Sequence, residues 1–237
     1  MPKKRQKRKP NEAPVVFHSE DKEYDNAPYE HHAFSPCASD RILFVGKPGV
    51  GKSAVMKNYL VRSGAEKVWL SHGMGDKSQE YSLVDYEHLD LEKGGLTEKL
   101  MEDSKKLKKG RMIWCIDDYN YSDMNKTARA NLYSAAQFAC THGPCVLLAA
   151  AHSFTQIPPR LRRIASTFVL WPPSEDALAY MARCLAVDKL TLKRIFSKCK
   201  TRHDFIVYEI APTPYSDDGT TRASWRLNGH IPLTDAD

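Results

Sequence analysis

Short apolar runs alternate with amphipathic stretches over the first two thirds of this chain. Continuous apolar runs are typical of parallel strands that are buried on both faces. They predict strands at residues 42–45, 112–118, 145–151 and 165–171, and a further strand is predicted at residues 67–72 (KVWLSH). Apolar residues at helical spacing lie between these runs. They predict helices at residues 54–62, 96–109 and 125–141. Strands that alternate with helices predict an α/β fold, with a central and mostly parallel sheet flanked by helices.

The last third of the chain has a weaker pattern. Ser174 is predicted to cap a helix, because acidic residues occupy the first turn after it. The remaining predictions are helices at 177–185 and 190–198, a strand at 203–210, a turn at 216–219, an edge strand at 222–227 and a frayed end. We expect a basic, disordered tail over residues 1–35, one α/β domain over 36–212, and a C-terminal hairpin and tail over 213–237.

The first predicted strand runs directly into a phosphate-binding motif. Residues 46–53 read GKPGVGKS and fit the P-loop pattern at every fixed position. The glycines let the backbone close around a phosphate, and the following helix adds the positive end of its dipole. Lys52 is predicted to reach the β- and γ-phosphates, and the Ser53 hydroxyl to bind Mg²⁺. The predicted ligands are ATP and Mg²⁺, and the predicted nucleotide contacts are Gly46, Lys47, Pro48, Gly49, Val50, Gly51, Lys52, Ser53 and Ala54.

Two carboxylates end the apolar run at 112–118. Ligands of parallel sheets bind at the carboxyl ends of the strands. Asp117 is therefore predicted to hold Mg²⁺, and Asp118 to orient or deprotonate the attacking water. The alternative for Asp118 is the N-cap of the following helix.

Polar residues also follow the apolar run at 145–151. Gln156 or His152 is predicted to sense the γ-phosphate, and the alternative is that these residues cap the loop. Arg160, Arg162 and Arg163 come next, in a loop stiffened by prolines. An arginine from a neighbouring subunit can stabilise transition-state charge during nucleotide hydrolysis. Not all three can do so, and the others are expected to face solvent or to pair with acidic residues.

Charge and composition restrict the cellular setting. The net charge of +6 lies in residues 1–10, which hold six Lys and Arg, and the rest of the chain has 29 Lys and Arg against 29 Asp and Glu. The tail fits a nuclear import signal, a contact with polyanions or a solubilising segment, so the expected location is the nucleus or else the cytoplasm. The six scattered cysteines indicate reduced thiols in an intracellular protein. No run is long enough for a membrane span, and the charged N-terminus does not resemble a secretory signal.

Several stretches together resemble the viral genome-packaging ATPases of the FtsK/HerA superfamily. These are the poxvirus-type packaging ATPases and their relatives in large DNA viruses, virophages and polinton-like elements. The resemblance covers about residues 40–212 and is carried by the segments GKPGVGKSAVMKNYL, SHGMGDKSQEY, IWCIDDYN, HSFTQIPPRLRRIA and HDFIVYEI.

This resemblance implies an ATP-driven translocase for double-stranded DNA. The family works as a homo-oligomeric ring that loads a genome into a capsid, so DNA and capsid or virion proteins are the implied partners, and the host nucleus or the virion is the implied location. Lys52 and Ser53 would bind phosphate and Mg²⁺, and Asp117 would be the Walker B acid. Asp118 stands where the superfamily often has Glu, and Gln156 would be the sensor. One of the three arginines, with Arg160 and Arg163 among the candidates, would act across the subunit boundary.

Three other functions remain open from the sequence. A replicative helicase of the superfamily 3 type shares the P-loop and the paired acids, although its sensor strand usually ends in Asn. A nucleoside or nucleotide kinase would use the arginine-rich loop as a lid, whereas the carboxylate pair favours activation of water. A nucleotide-dependent switch without catalysis is disfavoured by the complete set of Lys52, Ser53, Asp117 and Asp118.

Overall fold

Nine strands form one sheet in the described part of the chain. The computed structural model describes residues 40–73, 81, 84–108, 111–210, 223–228 and 231–233. The strands are β1 (Arg41–Val45), β2 (Lys67–His72), β3 (Glu87–His88), β4 (Met112–Asp117), β5 (Cys145–Ala151), β6 (Thr167–Leu170), β7 (Ile206–Ile210), β8 (Ala223–Leu227) and β9 (Ile231–Leu233). Their order is β3-β2-β4-β5-β1-β6-β7-β8-β9. Pairs from β3 to β6 are parallel and pairs from β6 to β9 are antiparallel. The predicted mostly parallel sheet is confirmed.

Helices cover both faces of this sheet, as predicted. They are α1 (Lys52–Arg62), α2 (Leu96–Lys106), α3 (Lys126–His142), α4 (Pro159–Ile164), α5 (Glu175–Leu185) and α6 (Lys189–Phe196). Successive side chains of a strand point to opposite faces. Leu43 thus joins the apolar cluster that includes α2, α3, α5 and α6, whereas Phe44 joins the cluster that includes α1. Burial on both faces explains why the central strands are continuous apolar runs.

The carboxyl ends of three neighbouring strands meet at one edge of the sheet. Val45 at the end of β1 pairs with Ala151 at the end of β5. Ile116 of β4 pairs with Ala149 of β5. The loops that follow these strands are therefore neighbours in space, although more than a hundred residues separate the first from the last.

Two local predictions were wrong, and a third was confirmed in position only. The predicted loop after β5 contains the helix α4, which starts at Pro159 because proline suits the first position of a helix. Ser174 occupies the N-cap position of α5, but its side chain makes no capping hydrogen bond. The predicted edge strand, β8, has neighbours on both sides, because β9 forms in the segment that was predicted to be frayed.

The predicted tail over 1–35 and the turn at 216–219 lie outside the described residues. The domain boundaries stay predictions, and β8 and β9 extend the same sheet as the strands before them. In the part of the chain that the structure describes, none of the helices has the length and apolar character needed to cross a membrane.

Candidate nucleotide-binding site

The loop after β1 has the backbone of a phosphate cradle. Gly49 and Gly51 have φ angles of 74° and 102°, a region that side chains disfavour. A Cβ atom at Gly46 would lie 2.8 Å from the Cβ of Trp171, so this glycine permits close packing against the end of β6. The glycines of the predicted motif are therefore required by conformation at two positions and by packing at a third.

The first turn of α1 suits an anion. Its N-cap is Gly51, which provides no side-chain cap, and the turn contains no acidic residue. The N–H groups of this turn thus have no capping carboxylate or hydroxyl of their own, and they lie at the positive end of the helix dipole. Lys52 is buried, and its Nζ donates to the carbonyl oxygens of Gly46 at 2.7 Å and Lys47 at 3.0 Å. The loop, the helix and the lysine together fit a polyphosphate.

Asp117 is held in one orientation at the end of β4. The Tyr81 hydroxyl donates to its Oδ2 at 2.6 Å, and the Asp118 N–H donates to its Oδ1 at 2.9 Å. Tyr121 lies nearby, and burial raises the pKa of its hydroxyl well above the ordinary value, with the charge of Asp117 adding to the effect. Each carboxylate oxygen keeps a second lone pair for another partner.

Asp117 and Ser53 fit the predicted magnesium site in their chemistry. Mg²⁺ prefers oxygen ligands and is usually bound by one or two protein groups together with phosphate oxygens and water. The carboxylate of Asp117 lies on the same sheet edge as the P-loop, and Ser53 directly follows Lys52 in the first turn of α1.

Asp118 has an unusual backbone conformation that turns the chain at the end of β4. Its φ angle is 49°, in the left-handed region that Asp tolerates better than most residues. Its side chain is half exposed, whereas Asp117 is buried. The alternative role as a helix cap is wrong, because α3 begins eight residues later and Asn125 caps it by accepting from Ala128 N at 2.8 Å.

His152 lies between the lysine and the second carboxylate. Lys52 Nζ is 3.3 Å from His152 Nδ1, and His152 Nε2 is 3.6 Å from Asp118 Oδ1. Because an ammonium group can only donate, Nδ1 acts as the acceptor in this contact and the ring proton lies on Nε2, facing the carboxylate. The structure therefore brings Lys52, His152 and Asp118 together.

Gln156 has a contact within its own loop. Its Oε1 accepts from the His152 backbone N–H at 3.1 Å, which shapes the loop that carries the histidine. The role of Gln156 as a sensor stays a prediction. The side chain that contacts both Lys52 and Asp118 is that of His152 and not that of Gln156.

The three arginines differ in their surroundings. Arg162 donates to the Phe154 carbonyl at 2.7 Å and lies over the ring of Tyr180. Arg160 is exposed and lies over Tyr133, with 5.3 Å between its Cζ and the ring centroid. Arg163 is exposed on α4. Arg160 and Arg163 are therefore the arginines that a neighbouring molecule can reach, whereas Arg162 helps to fix its own loop.

Sequence reasoning missed two residues that shape this site. Tyr81 fixes Asp117 from the end of the segment SHGMGDKSQEY, which contributed to the resemblance but predicted no role for this tyrosine. Gly73 follows β2 and donates its N–H to the Asp117 carbonyl at 3.3 Å. A Cβ atom at Gly73 would lie 2.1 Å from the Asp118 carbonyl oxygen, far inside contact distance.

We expect the Gly73→Ala substitution to displace the Asp118 backbone. Overpacking of this kind costs about 1–3 kcal/mol in the free energy of unfolding, and the shift would move the Asp118 carboxylate away from His152. Thermal unfolding and the rate of nucleotide hydrolysis measure the two effects. Gly94→Ala is the matched control, because an added Cβ at Gly94 meets no atom within 4 Å. If the two variants have the same unfolding temperature and the same hydrolysis rate, the close contact at Gly73 is contradicted.

Two solved structures of viral packaging enzymes share this fold. The chain resembles the genome-packaging NTPase B204 of Sulfolobus turreted icosahedral virus 2 in complex with ATP-gammaS, with a TM-score of 0.51 and 15% identity over 79% of this chain and 98% of that one. It also resembles B204, the DNA-packaging ATPase of Sulfolobus turreted icosahedral virus, with a TM-score of 0.54 and 14% identity over 83% of this chain and 98% of that one. No protein-family model matches the chain. No curated protein matches it either. The expected P-loop fold is thus confirmed, and these similarities concern the fold alone.

Proposed function

We propose that this chain hydrolyses ATP and uses the energy to move double-stranded DNA into a viral capsid. The observation that carries the proposal is the group formed by Lys52, His152 and Asp118 beside the buried Asp117. A site that only binds nucleotide has no need of an exposed carboxylate that is linked through His152 to the P-loop lysine. The shared fold with B204, which is itself a packaging NTPase, supports the link to DNA.

The described side chains suggest how hydrolysis proceeds. Lys52 exchanges its contacts with the loop carbonyls for contacts with the β- and γ-phosphates of ATP. Asp118 accepts a proton from the attacking water, and the His152 ring orients its carboxylate. Ser53 and Asp117 would hold Mg²⁺, which neutralises charge on the phosphates when bound.

A shared site between subunits completes the proposal. A positive group beside the γ-phosphate accelerates phosphoryl transfer, because it stabilises the charge of the transition state. Arg160 and Arg163 are exposed, so either can serve the site of an adjacent copy in a homo-oligomeric ring. DNA and capsid proteins are the other proposed partners. Because the chain beyond residue 10 has no net charge, the contact with DNA would involve local groups and depend on salt.

Duplex DNA is expected to raise the rate of ATP hydrolysis several-fold. A translocase couples hydrolysis to movement along its substrate, whereas other P-loop enzymes respond to other molecules. The test measures the hydrolysis rate of the full chain with long duplex DNA, with single-stranded DNA and with nucleosides, together with the mass of the oligomer. Stimulation by single strands alone would favour a helicase, phosphate transfer to a nucleoside would favour a kinase, and either result would contradict the proposal.

A further inference from the structure

A loop near the end of the described chain contacts the P-loop. His203 Nδ1 lies 3.2 Å from the Val50 carbonyl oxygen, and a Cβ atom at Gly51 would lie 3.6 Å from the same ring nitrogen. Trp171 donates its indole N–H to the His203 carbonyl at 3.2 Å. The loop of residues 199–204 thus lies against the phosphate cradle, although about 150 residues separate the two in sequence.

This loop is held in place by its own hydrogen bonds. The Asp204 carboxylate accepts from the backbone N–H groups of Lys200 at 2.7 Å and Thr201 at 2.8 Å. Asn228, at the end of β8, donates to the same carboxylate at 3.1 Å. Such bonds fix the conformation of the backbone on both sides of Arg202.

The hydrogen bonds of His203 also orient Arg202. Arg202 donates its Nε–H to His203 Nε2 at 2.9 Å. A guanidinium group cannot accept, so Nε2 is the acceptor, and the other ring nitrogen, Nδ1, carries the proton and donates to Val50. The planar guanidinium of Arg202 is thereby tied to the P-loop through one imidazole, and the Arg202 side chain is exposed. The neighbouring Lys200 differs, because its Nζ donates to the Ser197 carbonyl at 3.1 Å.

The order of strands decides which part of a nucleotide this loop faces. The P-loop follows β1, which lies between β5 and β6. Asp118 and His152 follow β4 and β5, so the terminal phosphate belongs on that side. A triphosphate is a linear chain, so its nucleoside extends from the cradle toward the opposite side, which is the side of β6 and β7. The loop of residues 199–204 lies there, just before β7.

We propose that the loop of residues 199–204 is the nucleoside subsite, and that the Arg202 guanidinium contacts the base or ribose of the bound nucleotide. A guanidinium group stacks on aromatic faces and donates hydrogen bonds from its edge, so both parts of a nucleoside suit it. This inference rests on the proposed function, because it assigns the other half of the same ATP site. It adds that the phosphates and the nucleoside are recognised by different residues of the chain.

The experiment compares two ligands that share the polyphosphate and differ in the nucleoside. Calorimetry measures the affinity of the full chain for Mg²⁺-ATP and for Mg²⁺-tripolyphosphate, with Arg202→Ala, Arg202→Lys and the unmodified protein. We expect Arg202→Ala to weaken ATP binding about tenfold, the range of a stacked cation, and to leave tripolyphosphate binding unchanged. Arg202→Lys keeps the charge but loses the planar group, so most of the loss is expected to remain.

Arg183→Ala is the matched control, because Arg183 is exposed on α5, whose buried residues pack in the apolar cluster opposite to that of α1. Thermal unfolding checks that each variant is folded. Unchanged ATP affinity in Arg202→Ala, or an equal loss for ATP and tripolyphosphate, would overturn the nucleoside subsite alone. Failure of the unmodified protein to bind either ligand would overturn the proposed function and this subsite together.

Discussion

Replacement of Lys52 by alanine is expected to lower the rate of ATP hydrolysis greatly and to weaken ATP binding strongly. Lys52 is the buried cation of the P-loop, and its Nζ already lies within hydrogen-bond distance of two loop carbonyls and of His152. Without it, negative charge that develops on the phosphates loses its nearest positive partner. The loss of one such group lowers the rate by roughly 10²–10³-fold. Steady-state hydrolysis and calorimetric ATP binding measure the two effects.

The control for this variant is Lys193→Ala, which removes an exposed lysine of α6. Thermal unfolding separates a chemical effect of Lys52→Ala from a loss of structure. Hydrolysis at the unmodified rate in a folded Lys52→Ala protein would contradict the assignment of the P-loop.

The same variant also tests the shared site. Lys52→Ala subunits keep their arginines, and Arg160→Ala or Arg163→Ala subunits keep their P-loops. If one of these arginines acts across a subunit boundary, a mixture of the two kinds of subunit should recover part of the hydrolysis that each lacks alone. An absence of recovery in both mixtures would contradict a trans-acting arginine at these positions.

Replacement of Asp118 by asparagine is expected to preserve ATP binding and stop turnover. Asparagine has the same shape as aspartate and also tolerates the left-handed conformation that Asp118 adopts at φ 49°. The backbone at the end of β4 should therefore stay in place. The amide cannot take a proton from water, and a general base contributes roughly 10²–10⁴-fold to a rate. Single-turnover hydrolysis, with binding measured on the same preparation, distinguishes the two steps.

Asp176→Asn is the control for charge, because Asp176 is exposed in the first turn of α5. If Asp118→Asn hydrolyses ATP as fast as this control, Asp118 is not the base, and another group must activate the water.

The sequence was sufficient for the parts of this site that are local. The P-loop, the paired aspartates and the buried strands depend on residues that are adjacent or evenly spaced, so motif and periodicity predict them. The confirmed strand Cys145–Ala151 is apolar throughout because both of its faces are buried. Tyr81 and Gly73 could not be found in this way, since each acts on a residue at least 36 positions further along the chain.

Orientation of side chains was the other part that the sequence could not provide. The sequence does not distinguish Arg162 from the arginines on either side of it. In the folded chain, Arg162 differs because it contacts Phe154 and Tyr180. The helix α4 was missed because two adjacent prolines suggested a loop. A proline such as Pro159 is compatible with a loop and also with the first position of a helix. Loop contacts such as that between Gln156 and His152 likewise depend on the path of the folded chain.

The contact between Gly73 and Asp118 provides a way to recognise proteins built on the same plan. No side chain larger than hydrogen fits at position 73, since even a methyl group would overlap the Asp118 carbonyl. A homologue with the same turn after the strand that ends in its paired acids must therefore keep glycine directly after its second strand, even where few other residues are shared. Glycine at that position, followed some 45 residues later by a pair of acids, forms a two-part signature that a search based on the P-loop alone does not use.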